Sequence, residues 1–245
     1  MASITPAGLT EEPPVAIESP ETQPLLGQPS NETETEEGYV LLNLVSGTAS
    51  IAQLGIWIFA ALVWSNILSQ PIILFTAHPL LAISGLLLQV QGILILQPTT
   101  TGPQKQRGAR YHYIIQLIST FLFLAAFTVI EVNKGTHPHF VSAHGILGLL
   151  TVLFVTYQSL FGVVQYFVPG ALLGSVENGK KIYKYHRWTG YVALLVLEIP
   201  TAIFGATQTG YSIAFLHIPL WAVIVAGLAV VLGAGARIRK FKLGL

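Results

Sequence analysis

The sequence has no cysteine, no aspartate and few charged residues of any kind. Because cysteine is absent, neither disulfide bonds nor thiolate metal sites can form. Only 9% of the 245 residues are charged, against about 25% in soluble domains, whereas 52% are hydrophobic. The composition therefore predicts a membrane protein, and we expect no nucleic-acid partner.

The eleven acidic residues are all glutamate, and eight of them precede residue 38. The other three, Glu131, Glu177 and Glu198, are too few for a carboxylate-based hydrolase or an all-oxygen metal cage. The N-terminal stretch is rich in Pro, Glu, Thr and Ser and has no apolar periodicity. Such a segment cannot bury enough apolar surface to fold, so we predict a disordered acidic tail over residues 1–43.

Within that tail, the segment Glu21–Leu26 reads ETQPLL. It has the form Glu-x-x-x-Leu-Leu and resembles the acidic dileucine signals that sorting adaptors read on cytosolic tails. We therefore expect an adaptor partner there and a location in a vacuolar, endosomal or other internal vesicle membrane.

Apolar runs of about 20 residues follow one another over residues 44–236, and this length crosses a hydrocarbon core of ~30 Å. We therefore predict an all-α membrane protein with six transmembrane helices in contact with membrane lipids, followed by a basic tail at 237–245. The predicted helices cover 45–68, 72–97, 110–131, 141–167, 184–206 and 213–235.

Basic residues are distributed unequally between the two predicted faces of the membrane. Lys134 alone lies on one face, and the other eleven Lys and Arg residues lie on the opposite face. Basic loops stay in the cytosol, so the rich face is predicted to be cytosolic, together with both tails. The eleven are Lys105, Arg107, Arg110, Lys180, Lys181, Lys184, Arg187, Arg237, Arg239, Lys240 and Lys242.

Four consecutive apolar runs each carry one histidine near the N-terminal end, at His78, His112, His144 and His186. Neighbouring helices run in opposite directions, so His78 and His144 lie near the non-cytosolic face and the other two near the cytosolic face. Side chains of facing helices converge in the core of a four-helix bundle. Two haems with two axial imidazoles each need this arrangement. We therefore predict that helices two to five form a dihaem core, with His78 paired with His144 and His112 paired with His186.

Other uses of these histidines remain open. A zinc ion would need three or four ligands around one point, whereas these pairs are far apart. A proton relay would typically add carboxylates, for which Glu131 and Glu198 are the candidates, both predicted near the non-cytosolic ends of their helices. A haem-free transporter or scaffold, and a cytochrome subunit that passes electrons to a partner protein, are the alternative functions.

Four segments together resemble a known family. They are HPLL with QVQGILIL in the second helix, and GARYHYIIQL, HFVSAHGILGLL and KIYKYHRWTGYV at the starts of the next three. In this order they are similar to the cytochrome b561 family, most closely to its small six-helix transmembrane reductases, over roughly residues 45–240. The resemblance implies two haem b groups on the paired histidines. It also implies electron transfer from cytosolic ascorbate to monodehydroascorbate or ferric chelates, and homodimers, which several members form.

The resemblance also suggests substrate residues. Arg110 and Lys180, two and six residues before a paired histidine, match basic positions of ascorbate-using members. They could bind the ascorbate anion through charge-assisted hydrogen bonds. Alternatively, they serve only to set the membrane orientation of the chain and to contact lipid headgroups. His139, five residues before His144, could contact the acceptor or be an ordinary loop histidine. Residues 142–146 read SAHGI where the family has an SLHSW-type stretch, and its longer ascorbate signature is missing, so the haem scaffold is better supported than ascorbate.

Two further polar residues receive structural interpretations. Gln116 lies four residues after His112 on the same helix face, where it could hydrogen-bond a haem or join two helices. His217 is predicted at the start of the sixth helix, as an interfacial residue.

Overall fold

A computed structural model describes residues 37–243 of the chain. Every regular element within this range is helical, which confirms the predicted all-α class. The α-helices are α1 (Glu37–Leu42), α2 (Ala49–Leu68), α3 (Leu74–Leu96), α4 (Gly102–Lys134), α5 (Ala143–Tyr166), α6 (Pro169–Leu173), α7 (Val176–Val192), α8 (Ile199–Thr207) and α9 (Leu220–Gly235). The other elements are two π-helical segments, Ala193–Glu198 and Ser212–Leu216, and a 3-10 turn, Lys240–Leu243. The dileucine match at Glu21–Leu26 lies outside the described residues.

Five helical stretches are long and apolar enough to cross a membrane. They are α2, α3, α4, α5 and the continuous stretch Val176–Thr207, in which a π-helical segment joins α7 to α8. The sixth apolar helix, α9, has 16 residues and rises about 24 Å, slightly less than a ~30 Å hydrocarbon core. The chain is therefore a multi-pass α-helical membrane protein.

Two of these helices begin about two turns earlier than hydropathy predicts. Helix α4 begins at Gly102 instead of 110, and α7 begins at Val176 instead of 184. In each case an N-cap side chain, from Thr101 or Ser175, accepts the backbone N–H three residues on. Capping starts a helix whatever its hydropathy, so the basic residues placed in loops by the sequence lie on helical turns.

The sixth helix, in contrast, begins later than predicted. Helix α9 begins at Leu220, because Pro219 is its N-cap and His217 has a left-handed φ of 49° that breaks the preceding π-helical segment. His217 is exposed and lies in this break, so its predicted place at a helix start is wrong.

Both ends of the described chain pack against the helices. Residues 37–42, which the sequence assigns to the tail, form α1, and residues 1–36 lie outside the described range. The Val40 side chain is buried, and the Asn43 amide donates to the backbone oxygen of Ile95 at 2.9 Å. In the basic tail, the Lys242 ammonium donates to the backbone oxygen of Thr99 at 2.7 Å.

The helices pack in an order that leaves space inside the bundle. Helix α3 lies along α4, and α2 lies along α9. Helix α5 contacts α4 on one side and the α7–α8 stretch on the other. Helix α3 meets that stretch chiefly at its π-helical segment, so the interior between these helices is only partly filled by protein.

Gly55 sets the close approach of α2 to α9. A Cβ there would lie 2.5 Å from the backbone oxygen of Ala226 and 2.8 Å from the Cβ of Ala229. We expect Gly55→Leu to destabilise the protein by about 1–3 kcal/mol, because the two backbones must separate. Denaturant unfolding in detergent measures this. The matched control is Gly235→Leu, since within residues 37–243 no non-local atom lies within 4 Å of its Cβ position. Equal unfolding midpoints for the two variants would contradict the expectation.

Candidate functional site

The four helix-start histidines meet in two pairs inside the bundle. The ring centroids of His78 and His144 are 6.0 Å apart with an interplanar angle of 77°. Those of His112 and His186 are 6.3 Å apart at 86°. The structure thus places together the same partners that the alternating helix directions predict.

In three of the four histidines, the ring nitrogen Nδ1 is hydrogen-bonded to a backbone carbonyl of a neighbouring helix. A carbonyl only accepts, so Nδ1 carries the proton and Nε2 keeps its lone pair free for a metal. Such bonds commonly orient metal-binding imidazoles. The bonds are His78 to Ala126 at 2.9 Å, His112 to Gly92 at 2.8 Å and His144 to Thr201 at 3.0 Å. His186 is the exception, since its buried Nδ1 has no hydrogen-bond partner in the described part of the chain.

The spacing of the rings fits one metal ion between each pair. A metal ion bound by two imidazoles lies about 2 Å from each ligating nitrogen, and the centre of each ring lies about 1 Å beyond its nitrogen. The two ring centroids are then about 6 Å apart. No group of three or more His or Glu residues that could hold a metal ion occurs within residues 37–243. Within the described residues each level of the bundle therefore offers two imidazoles, a number that would suit a metal whose other ligands come from a macrocycle.

A cavity of about 340 Å³ surrounds the first pair, with both His78 and His144 in its wall. Aromatic and aliphatic side chains such as Phe59, Phe123 and Phe127 form most of the remaining wall. A mostly apolar cavity with a few polar groups is typical of cofactor sites. The protein interior can therefore receive a large flat apolar group at this level of the bundle.

Two glycines leave space for the histidine rings, because a side chain at either position would collide with or crowd a ring. A Cβ at Gly205 would lie 2.7 Å from Cε1 of His144, and a Cβ at Gly162 would lie 3.3 Å from Cε1 of His186. Gly162 was noticeable in the sequence only as one of many glycines, which serve helix packing as often as cofactor space. Gly205 carried no signal, because it lies 61 residues from His144 on another helix.

A polar network crosses the bundle interior and includes Glu198. The Gln89 amide donates to Oε1 of Glu198 at 3.2 Å, and the Ser119 hydroxyl donates to Oε1 of Gln89 at 3.1 Å. Glu198 is only 2% exposed, and α8 continues for nine more residues to Thr207. Glu198 therefore lies inside the bundle, nine residues before the end of α8. Gln116 donates to the backbone oxygen of Gln89 at 3.2 Å, which makes it a helix–helix contact.

The suggested substrate residues lie outside the histidine pairs. Arg110 is exposed, and the Lys180 ammonium pairs with the Glu177 carboxylate at 2.8 Å. The Nδ1 atom of His139 pairs with the Glu131 carboxylate, and its Nε2 bonds to the backbone oxygen of Gly135 at 3.0 Å. An acceptor that binds His139 must therefore displace one of these contacts.

Comparisons with known proteins agree with this architecture. A family model described as eukaryotic cytochrome b561 matches residues 77–212, more than half of the chain and a range that contains all four paired histidines. The human transmembrane reductase CYB561D2 is 30% identical over 198 residues, which cover 74% of this chain and 84% of the human protein. These matches confirm the resemblance found in the sequence: the chain belongs to the cytochrome b561 family, and it is a transmembrane electron-transfer protein of the oxidoreductase class.

Proposed function

We propose that this protein is a two-haem transmembrane reductase that moves electrons from cytosolic ascorbate to monodehydroascorbate or ferric chelates on the opposite side. His112 and His186 hold the haem on the donor side, and His78 and His144 hold the haem on the acceptor side. The observation that carries the proposal is the pair geometry, in which facing imidazoles are about one metal ion apart. The family match supports haem b as the cofactor.

The protein's own residues fix the ligand geometry. When bound, each haem supplies an iron that accepts and gives up one electron without a bond being made. Carbonyls of Ala126, Gly92 and Thr201 hold the protonated Nδ1 atoms of three of the histidines, which leaves the Nε2 lone pair of each of these rings available to the haem iron. Aromatic and aliphatic side chains form most of the cavity wall around the acceptor-side pair, which favours an apolar macrocycle there.

The separation of the pairs supports a path across the membrane. His78 and Gly92, whose carbonyl accepts from His112, are 14 residues apart on α3. This spacing corresponds to about 21 Å along the helix, most of a ~30 Å hydrocarbon core. The two pairs therefore serve opposite membrane faces, as transfer between two aqueous substrates requires.

For the donor site we propose Arg110, in the third turn of α4 and two residues before His112, and Lys180, in the second turn of α7 and six residues before His186. Each of these side chains donates one charge-assisted hydrogen bond to ascorbate, worth about 1.5–3 kcal/mol. Loss of one such bond raises the KM for ascorbate about tenfold or more. We expect this from Lys180→Gln and Arg110→Gln, with little change in kcat, in steady-state assays on reconstituted vesicles. The matched control is Lys181→Gln, the exposed neighbouring lysine. Equal KM values for Lys180→Gln and Lys181→Gln would favour a purely topological role.

For the acceptor side we propose His139, which is paired with Glu131 beside the cavity that holds His78 and His144. A negatively charged acceptor would take the place of the Glu131 carboxylate as the partner of the His139 imidazole. A ferric chelate would instead interact favourably with both the imidazole and the carboxylate. Lys134 lines the same cavity and adds a positive charge there.

The cellular setting is part of the same proposal. We place both termini in the cytosol and the protein in an internal membrane, with an adaptor bound at Glu21–Leu26. A homodimer stays an expectation from the family resemblance. Protease protection of tags at each terminus in sealed vesicles tests the topology.

Electron transfer across a sealed membrane tests the proposed function. The purified protein is placed in vesicles that contain a ferric chelate, and ascorbate is added outside. We expect ferrous iron to appear inside at a rate that depends on the amount of protein. A protein with haem that ascorbate does not reduce would instead favour a cytochrome subunit that serves another donor.

A further inference from the structure

The buried carboxyl group of Glu198 has no role in the path described above. Its Oε1 accepts one hydrogen bond, from Gln89 at 3.2 Å, and its Oε2 has no hydrogen-bond partner among residues 37–243. Neither ion pair found among residues 37–243 includes Glu198. An ionised carboxylate without a cation is expensive in a low-dielectric interior, so a change of charge nearby acts strongly on its proton.

The position of Glu198 connects it to the acceptor-side pair. Glu198 ends the π-helical segment that joins α7 to α8, and insertions of this kind occur frequently at functional sites. Thr201, whose carbonyl accepts from His144, follows within one turn. Glu198 also lines the cavity that contains His78 and His144.

The same cavity offers a route for protons. Its wall includes Glu198 inside the bundle and the exposed residues Ser142 and Gly210 at the protein surface. A small hydrated ion can therefore approach the carboxyl group from the acceptor side without crossing the donor-side half of the bundle.

Other titratable groups face this cavity from several of the surrounding elements. They are His78 on α3, Glu131 and Lys134 on α4, His144 on α5 and Tyr211 before α9. Glu131 is paired with His139, and Lys134 contacts the backbone oxygen of Pro138 at 3.5 Å. Of the titratable groups in this wall, Glu198 alone is fully buried.

We propose that Glu198 is a redox-linked protonation site, which takes up one proton when an electron reaches the His78–His144 pair. The inference rests on the proposed function, whose donor supplies the electron. The carboxylate gains one O–H bond, with the proton drawn from water at the cavity mouth, and loses it when the electron passes to the acceptor. The added negative charge is thereby compensated inside the bundle, and the acceptor can leave with both an electron and a proton.

The test is the pH dependence of the reduction midpoint of each spectral component, measured on purified full-length protein. One proton per electron changes the midpoint by about 59 mV per tenfold change in proton concentration. We expect a slope approaching this value for the component that is lost in His144→Ala, and a slope near zero for that component in Glu198→Gln. The matched control is Glu177→Gln, a 71% exposed carboxylate on the other side of the bundle, which should keep the wild-type slope.

Reduced-minus-oxidised infrared spectra give a second readout. Reduction should produce the carbonyl stretch of a protonated carboxylic acid, sensitive to deuterium oxide and absent in Glu198→Gln. If Glu198→Gln does not assemble, Gln89→Met removes the hydrogen bond to Oε1 and should shift this band.

The outcomes separate this inference from the function on which it rests. A protein with two haems whose midpoints follow pH identically in wild type and Glu198→Gln overturns the inference alone. Absence of the carboxylic acid band in wild type, or a band that Gln89→Met leaves unmoved, also overturns it. A wild-type protein without haem overturns both the inference and the proposed function.

Discussion

Replacing His144 by alanine should remove one of two haems and stop electron transfer across the membrane. The centroid of its ring lies 6.0 Å from that of His78, so the variant leaves that pair with a single imidazole. The other pair lies about 21 Å away along α3 and shares no contact with the change. Ascorbate should therefore still reduce the remaining haem, while transfer to an acceptor in sealed vesicles falls to the background rate.

The complementary variant makes this result specific. His112→Ala should remove the other spectral component, and the two difference spectra should add up to that of the wild type. His217→Ala is the matched control, because His217 is exposed and lies outside both pairs. If both variants lose the same component, or if His217→Ala loses one, the assignment of two independent pairs is wrong.

Adding one methyl group at Gly205 should weaken the acceptor-side site almost as effectively as removal of a ligand. A Cβ at this position would lie 2.7 Å from Cε1 and 3.0 Å from Nδ1 of His144. The ring must then move, and its hydrogen bond to Thr201 must break or lengthen. Loss of an orienting contact lowers metal affinity about 10–100-fold, so Gly205→Ala should lose this haem on dilution while it keeps the other.

The helix itself should tolerate the change. Alanine is the best helix former, so Gly205→Ala is not expected to weaken α8 for local reasons. Gly210→Ala is the control, because no atom of the described residues outside its own chain neighbours lies within 4 Å of the Cβ position at Gly210. Equal haem retention by the two alanine variants would show that the His144 ring can move without loss of the cofactor.

The sequence predicted the helical class and the partners within each histidine pair. Length and hydropathy are sufficient for the apolar runs, and alternating helix direction is sufficient to sort four N-terminal histidines into two levels. Helix ends were predicted less well, because Thr101 and Ser175 start α4 and α7 in polar segments that hydropathy reads as loops. Helix α9, in contrast, begins later in the sequence than predicted, because of Pro219 and the left-handed backbone conformation of His217.

The surroundings of the histidines could not be predicted from the sequence. Their hydrogen-bond acceptors are backbone carbonyls, which every residue has, so no residue type marks Ala126, Gly92 or Thr201. The interior position of Glu198 depends on helix packing and on the π-helical segment before it, which shifts the face that the following residues present. Such features depend on three-dimensional packing between segments far apart in the chain.

The most direct test of the central claim is the ratio of haem to protein in the purified wild-type chain, combined with its reduced-minus-oxidised visible spectrum. Two facing histidine pairs predict two haem b groups per chain, both reducible by ascorbate. A protein that folds and contains no haem after expression with adequate haem supply would contradict the account. The histidines would then belong to a haem-free transporter or scaffold.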